Sequence, residues 1–192
     1  MKIIFASGNK NKLQEIQAAL PSGIEVVSMR DLGVLEEIPE TTGTLEGNAE
    51  QKARFVFEKT GIACFSDDTG LEIEALNGRP GVDSAIYAGE PRSNERNIEK
   101  VLNEMKGQTN RNAQFRSVFC YCSEAGTFYF EGIVKGKLGV EIRGTDGFGY
   151  DGIFHPDGNS RTFAEMTIEE KKFLSHRAKA LQKFLEFIAL NS

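Results

Sequence analysis

Residues 114–122 and 127–134 are rich in aromatic and β-branched side chains and are separated by the short link Glu124-Ala125-Gly126, so the middle of the chain reads as a β-hairpin. Part of the sheet is therefore antiparallel. On the amino-terminal side, strand and helix signals alternate. Residues 2–6 (KIIFA) form an apolar run that stops at Ser7-Gly8-Asn9, after which Leu13, Ile16 and Leu20 recur at helical spacing. Residues 24–27 (IEVV) give a second strand, and Ala49, Ala53 and Val56 line one face of a second helix. A third strand, 62–66 (IACFS), runs into Asp67-Asp68-Thr69-Gly70. Beyond it, Ile98, Val101, Leu102 and Met105 mark an amphipathic helix with Ser93 near its start as a cap. Thr167 and Glu170 have the spacing of a capping box, and Leu181, Phe184, Leu185 and Ile188 mark a final helix. This pattern predicts an α/β fold with a mixed, twisted sheet and helices packed against it. No repeat, low-complexity tract or linker divides the chain, so 1–192 is expected to form one domain.

Hydrophobic residues make up 40% of the chain and charged residues 27%, the balance of a soluble globular protein. A net charge of −5 gives no overall field that would recruit a nucleic acid backbone or an anionic membrane, so any phosphate must be held locally. The first apolar run is too short for a secretory or membrane segment, and a cytoplasmic location is expected. Cys64, Cys120 and Cys122 lack metal-site spacing and are read as small, reduced, buried apolar residues.

Five tracts carry candidate chemistry. Ser7-Gly8-Asn9-Lys10-Asn11-Lys12 lies between a strand and a helix, where free backbone amides bind anions and Lys12 adds a mobile charge. The P-loop pattern is absent, and the tract equally suits an ordinary polar turn. In Ser66-Asp67-Asp68-Thr69-Gly70, neighbouring aspartates at a strand end point to opposite sides, so one faces a cleft while the other is turned toward backbone or cap partners. An aspartate there can hold Mg²⁺ with water and phosphate as the remaining ligands, although an Asx-type turn fits the same residues. Glu40, in Pro39-Glu40-Thr41, could complete a carboxylate pair with Asp68, although spacing alone does not bring them together, and Lys52, one turn after Asn48, could reach a phosphate or stand as an ordinary solvated lysine. Gly147-Phe148-Gly149-Tyr150-Asp151-Gly152 suggests a loop shaped around a ligand, with Phe148 or Tyr150 offering an apolar face to a base and Asp151 accepting from base or ribose, although a tight surface loop with buried aromatics fits the same residues. Finally, His176 and Arg177 beside a purine would favour a carbonyl at position 6 over an amino group, because a donor facing a donor leaves both unsatisfied. Lys171 is a further phosphate candidate, and Ser175-His176-Arg177 also suits a helix start with exposed charges.

Taken in order, SGNKNK at 7–12, PET at 39–41, NAEQKA at 48–53, SDDTG at 66–70, GFGYD at 147–151 and SHRAKAL at 175–181 resemble the inosine triphosphate pyrophosphatase family, also called dITP/XTP pyrophosphatases. The likeness runs from Lys2 to about Leu185 and includes the glycine-proline segment Gly78–Ala85. It implies an elongated mixed sheet with two lobes around a central cleft, Mg²⁺-dependent hydrolysis of ITP, dITP and XTP to monophosphate and pyrophosphate, and a homodimer. By position, it implies that Ser7, Gly8, Asn9, Lys10, Asn11 and Lys12 bind the triphosphate and that Asp68 is the catalytic residue. Glu40 and Asp68 would be the metal ligands. Thr69, Lys52 and Lys171 would bind substrate, Phe148, Gly149, Tyr150 and Asp151 would form the base and sugar loop, and His176 and Arg177 would read the base. The chain departs from the family pattern at Gly47, where a glutamate is common, at Asp146 (glycine) and at Gly152 (proline). A reading from another class is a nucleotide-binding regulatory module without turnover.

Overall fold

The computed structural model describes residues 2–191. It opens with strand β1 (Lys2–Phe5), helix α1 (Lys10–Ala19) and strand β2 (Glu25–Ser28), and continues through α2 (Leu45–Thr60), β3 (Cys64–Ile73) and the short β4 (Pro80–Gly81). Helix α3 (Asn94–Glu104), the hairpin β5 (Asn112–Ser123) and β6 (Gly126–Leu138), β7 (Phe154–Pro156), α4 (Ile168–Leu174) and α5 (His176–Asn191) follow. The strands form one seven-stranded sheet in the order β2-β1-β3-β5-β6-β7, with β4 on β3. β1 pairs in parallel with β2 and β3, and the remaining pairs are antiparallel, so the sheet is mixed as the hairpin requires. Among the described residues no helix is long and apolar enough to cross a membrane.

Local chemistry sets the helix ends. Asn9, Thr44, Ser93 and Thr167 accept hydrogen bonds from the first-turn amides of α1, α2, α3 and α4, and Gly61 closes α2 in the left-handed conformation. Gly47, the departure in α2, has a structural cause: a Cβ there would lie 2.3 Å from the Thr42 hydroxyl oxygen, which donates to Asn48 Oδ1 at 2.9 Å.

Alternation along the strands divides the core. Cys64, Val118, Cys120 and Cys122 face α2, whereas Phe5, Phe65 and Phe119 face α1 and α5 through Ile16, Leu181 and Phe184. A third cluster, with Ile98 and Val101 of α3, covers the far end of β3, β5 and β6 through Leu71, Ile73, Phe115 and Val134. Two packed ends on one set of long strands leave a cleft at mid-strand.

The expected strand end at residue 66 is corrected by this arrangement. β3 continues to Ile73, and Asp67 and Asp68 lie inside it, paired in register with Phe119 and Val118 of β5. Polar residues in a strand interior read as a turn because their partners lie far away in sequence. Gly70 does not make a turn either; a Cβ there would stand 2.4 Å from the Gly81 carbonyl oxygen, so the glycine admits β4 against β3. Gly70→Ala should therefore cost about 1–3 kcal/mol in urea unfolding; an unchanged midpoint would contradict this packing.

Candidate active site

A cavity of about 690 Å³ opens at the middle of β3. It is lined by Ser7, Gly8, Asn9 and Lys12, by Glu40, Lys52, Asp68 and Thr69, and by Phe148, Gly149, Tyr150, Asp151, His176 and Arg177. Lys10, Asn11 and Lys171 of the expected set are not among its lining residues.

Its acidic centre sits on the α2 side of the sheet. Lys52 Nζ lies 2.5 Å from Glu40 Oε1, 3.1 Å from Asp68 Oδ1 and 3.0 Å from the Asp67 carbonyl oxygen, while Asn48 Nδ2 donates to Asp68 Oδ2 at 3.3 Å. Burial alone would lower the Lys52 pKa, but Asp68 and Glu40 overcome it and raise it. Burial pushes the Asp68 carboxyl above its ordinary value, Glu40 adds to this, and Lys52 and Lys12 oppose it. Both members of the pair rise because the ammonium feels several carboxylates, whereas the carboxylate loses its water.

Asp67 faces the other way, as alternation requires, yet its partners are side chains rather than the backbone or cap groups expected. Its carboxylate accepts from Arg177 Nε at 2.6 Å and from Ser117 and Thr69 at 2.7 and 2.8 Å, with Lys12 Nζ at 3.6 Å. Burial would raise its pKa, but Arg177 and Lys12 hold it far below the usual carboxylate range.

In the 7–12 loop, most amides are already used. Asn9 Oδ1 accepts from the amides of Asn11 and Lys12, and Ser7 Oγ accepts from Asn9, which leaves the amides of Gly8 and Lys10 without an acceptor among the described residues. The expected convergence of free amides is reduced to these two. Lys12 Nζ instead reaches the Asp67 carbonyl oxygen at 3.1 Å, and burial lowers its pKa.

The opposite end of the cavity is aromatic and tightly paired. Ser175-His176-Arg177 does start a helix, but His176 and the Arg177 charge are buried rather than exposed. Gly132 of β6 explains how: a Cβ there would lie 2.0 Å from the His176 carbonyl oxygen, so α5 rests its first turn directly on the sheet. The His176 ring stacks on Phe115 with centroids 4.7 Å apart, and its Nδ1 is buried with no hydrogen-bond partner among the described residues. Arg177 is fixed by Asp67, Glu15 and Thr69. Phe148 lies beside the Lys171 ammonium and the Arg177 guanidinium, at 5.8 and 5.6 Å from its ring centre.

Two readings of the glycine-rich loop change. Tyr150 is buried and its hydroxyl donates to the Ser84 carbonyl at 2.8 Å, so Phe148 is the ring left to face a ligand. Asp151 Oδ2 accepts from Lys171 at 2.8 Å and from the Phe148 amide at 3.0 Å, which makes Asp151 a clasp of its own loop. Lys171, paired with Asp151 and Glu15, sits at the aromatic end and not with the phosphate loop. The Gly152 departure has a packing reason, since a Cβ would meet Ile142 Cγ2 at 2.9 Å.

Burial lowers the His176 pKa to about 3, with Arg177 adding to the effect. The unfolded chain takes up this proton near pH 6.5 and the folded chain does not, so stability is lost as pH falls from about 6.5 toward about 3. The urea midpoint should drop between pH 6.5 and 5, and His176→Phe should flatten that slope. A slope unchanged in the variant would refute the assignment.

Sequence reasoning missed Glu15, which joins Lys171 to Arg177 and whose own pKa is lowered to about 2 against the effect of burial. A glutamate in an amphipathic helix gives no signal, and neither does Ser117 inside β5. Arg30 and Arg92 also line the cavity from segments without a motif.

A model of the Ham1 family matches residues 3–187. The chain is 50% identical over 187 residues to a dITP/XTP pyrophosphatase of Flavobacterium psychrophilum, covering 97% of the chain and 98% of the relative. It is 45% identical to a dITP/XTP pyrophosphatase of Porphyromonas gingivalis, covering 97% of each. Among solved structures, the Staphylococcus aureus Ham1 protein superposes with a TM-score of 0.89 at 35% identity, over 100% of both chains. With its mixed sheet, its cleft at mid-strand and its motifs in family order, the chain belongs to the Ham1 family.

Proposed function

We propose that this chain hydrolyses deaminated purine nucleoside triphosphates, ITP, dITP and XTP, to the monophosphate and pyrophosphate, with Mg²⁺ as cofactor. The observation that carries the reading is one cavity that joins a Lys52–Glu40–Asp68 cluster to a buried aromatic and arginine end. The dITP/XTP pyrophosphatases that resemble the chain over nearly its whole length support it.

The sheet order suggests how the substrate lies. The base lies over β5 and β6, against Phe148 and His176; the bond that breaks lies at Asp68 on β3; and the phosphates that leave lie toward β1 and β2, where the 7–12 loop begins. Neutral His176 and the unused N–H groups of Arg177 line the base end of the cavity, where they would meet a 6-oxo group.

The carboxylates suit Mg²⁺. Two of them already converge on one ammonium, and their donors are all oxygen, the chemistry a hard cation takes. Among the described residues no group of three or more His, Cys, Asp or Glu could hold a metal ion, so phosphate and water would have to supply the remaining ligands. Glu40 and Asp68 would hold the ion, and bound there it would neutralise charge on the phosphates. Asp68 orients the attacking water and takes its proton on a carboxylate oxygen; Lys52 and Asn48 hold one lone pair on each oxygen and leave others free. Lys12 and Lys52 offset the charge that develops on the leaving pyrophosphate. The reading takes the chain as one catalytic unit acting in the cytoplasm as a homodimer.

The test is pyrophosphate release from dITP, XTP, dGTP and dATP at equal concentration with Mg²⁺, with an EDTA control. Fast release from dITP and XTP, abolished by EDTA, is expected. Equal rates on all four would overturn the base reading, and no release from any would leave a nucleotide-binding module.

A further inference from the structure

Five cationic side chains line the cavity, and four of them face carboxylates. Lys12 lies 3.6 Å from Asp67, Lys52 pairs with Glu40 and Asp68, Arg177 with Asp67 and Glu15, and Arg92 approaches Glu40 at 4.0 Å. Arg30 is the exception: its exposed guanidinium has no hydrogen bond or ion pair to a side chain or carbonyl among the described residues. Its position is nevertheless defined. Ser28 and Asp31 close a capping box around the short 3₁₀ turn Met29–Leu32, Met29 is buried beneath it, and Ser28 Oγ donates to the Ser7 carbonyl at 3.4 Å. The turn is thus tied to the 7–12 loop. The guanidinium lies on that loop at Gly8, where a Cβ would stand 3.0 Å from Arg30 Nε and 3.1 Å from Nη2.

An arginine fixed at its backbone, free at its tip and laid over Gly8, whose amide has no acceptor among the described residues, is suited to a polyanion. Sheet order gives its place along the substrate. Arg30 follows β2, two strands from Asp68 on β3, or about 10 Å at ordinary strand spacing. His176 lies on the other side, over β5 and β6. We infer that Arg30 is a further substrate-binding residue, which grips the β- and γ-phosphates that leave as pyrophosphate. The inference rests on the proposed function for its substrate, but its phosphate contact is testable without turnover.

Calorimetric titration of wild type, Arg30→Ala and Arg30→Lys with inorganic pyrophosphate and with dIMP, together with KM and kcat for dITP, decides it. Loss of a charge-assisted hydrogen bond gives a change of about 10- to 100-fold. Arg30→Ala is expected to weaken pyrophosphate binding and raise the KM for dITP by about that factor, to leave dIMP binding and Tm as in wild type, and to be partly rescued in Arg30→Lys. Pyrophosphate binding within twofold of wild type in Arg30→Ala, equal weakening toward dIMP, or no measurable pyrophosphate binding by wild type would each overturn the inference. If wild type bound pyrophosphate in an Arg30-dependent way yet released none from any nucleotide, the inference would stand and the proposed function would fall.

Discussion

Asp68→Asn should lower the rate of pyrophosphate release from dITP by about 10²- to 10⁴-fold, the usual contribution of a positioned general base. The substitution keeps the shape of the side chain, so the contacts of Oδ1 with Lys52 and of Oδ2 with Asn48 have groups of similar size to meet. What is lost is the negative charge and the proton-accepting oxygen, while Glu40 remains on Lys52. Binding of ITP, followed by calorimetry, should change far less than the rate. Release within threefold of wild type would remove Asp68 from the chemistry, and loss of binding in step with rate would make it a ground-state contact.

The largest effect on stability is expected at Arg177. Its guanidinium is buried against Asp67 and Glu15, two carboxylates that are themselves buried. Arg177→Met keeps most of the volume and leaves two anions without their principal counter-charge, which should cost about 3–5 kcal/mol in urea unfolding. The cause is checked by neutralising the anions as well: Asp67→Asn and Glu15→Gln added to Arg177→Met should recover part of the loss. A triple variant no more stable than Arg177→Met would mean that packing of the arginine stem, not charge, carries the effect.

The sequence made the architecture legible where periodicity reports burial. The hairpin at 114–134 and the apolar faces of α2, α3 and α5 are bounded by caps and turns that act within a few residues, so a local pattern suffices. β3 was harder, because Ser66, Asp67, Asp68 and Thr69 are strand residues whose partners, Ala49, Asn48, Lys52, Ser117 and Arg177, lie 15 to 110 positions away. The site residues were visible as motifs, but their pairings were not. Lys171 and Asp151 each suggested a ligand contact when read alone, and each is claimed first by the other. Glu15 carried no sign of its role, since the helix that contains it has an ordinary amphipathic pattern.

One main-chain atom has a wider consequence. The Asp67 carbonyl oxygen accepts from the ammonium groups of both Lys12 and Lys52, at 3.1 and 3.0 Å. Two ammonium groups are thereby gathered on a neutral atom in a poorly hydrated place, where burial and then Lys52 lower the Lys12 pKa while Asp68 and Glu40 hold Lys52 charged. On the proposed function, a bound chain of phosphates would ease that crowding at Lys12, a part of its affinity that a count of contacts between ligand and protein alone would miss.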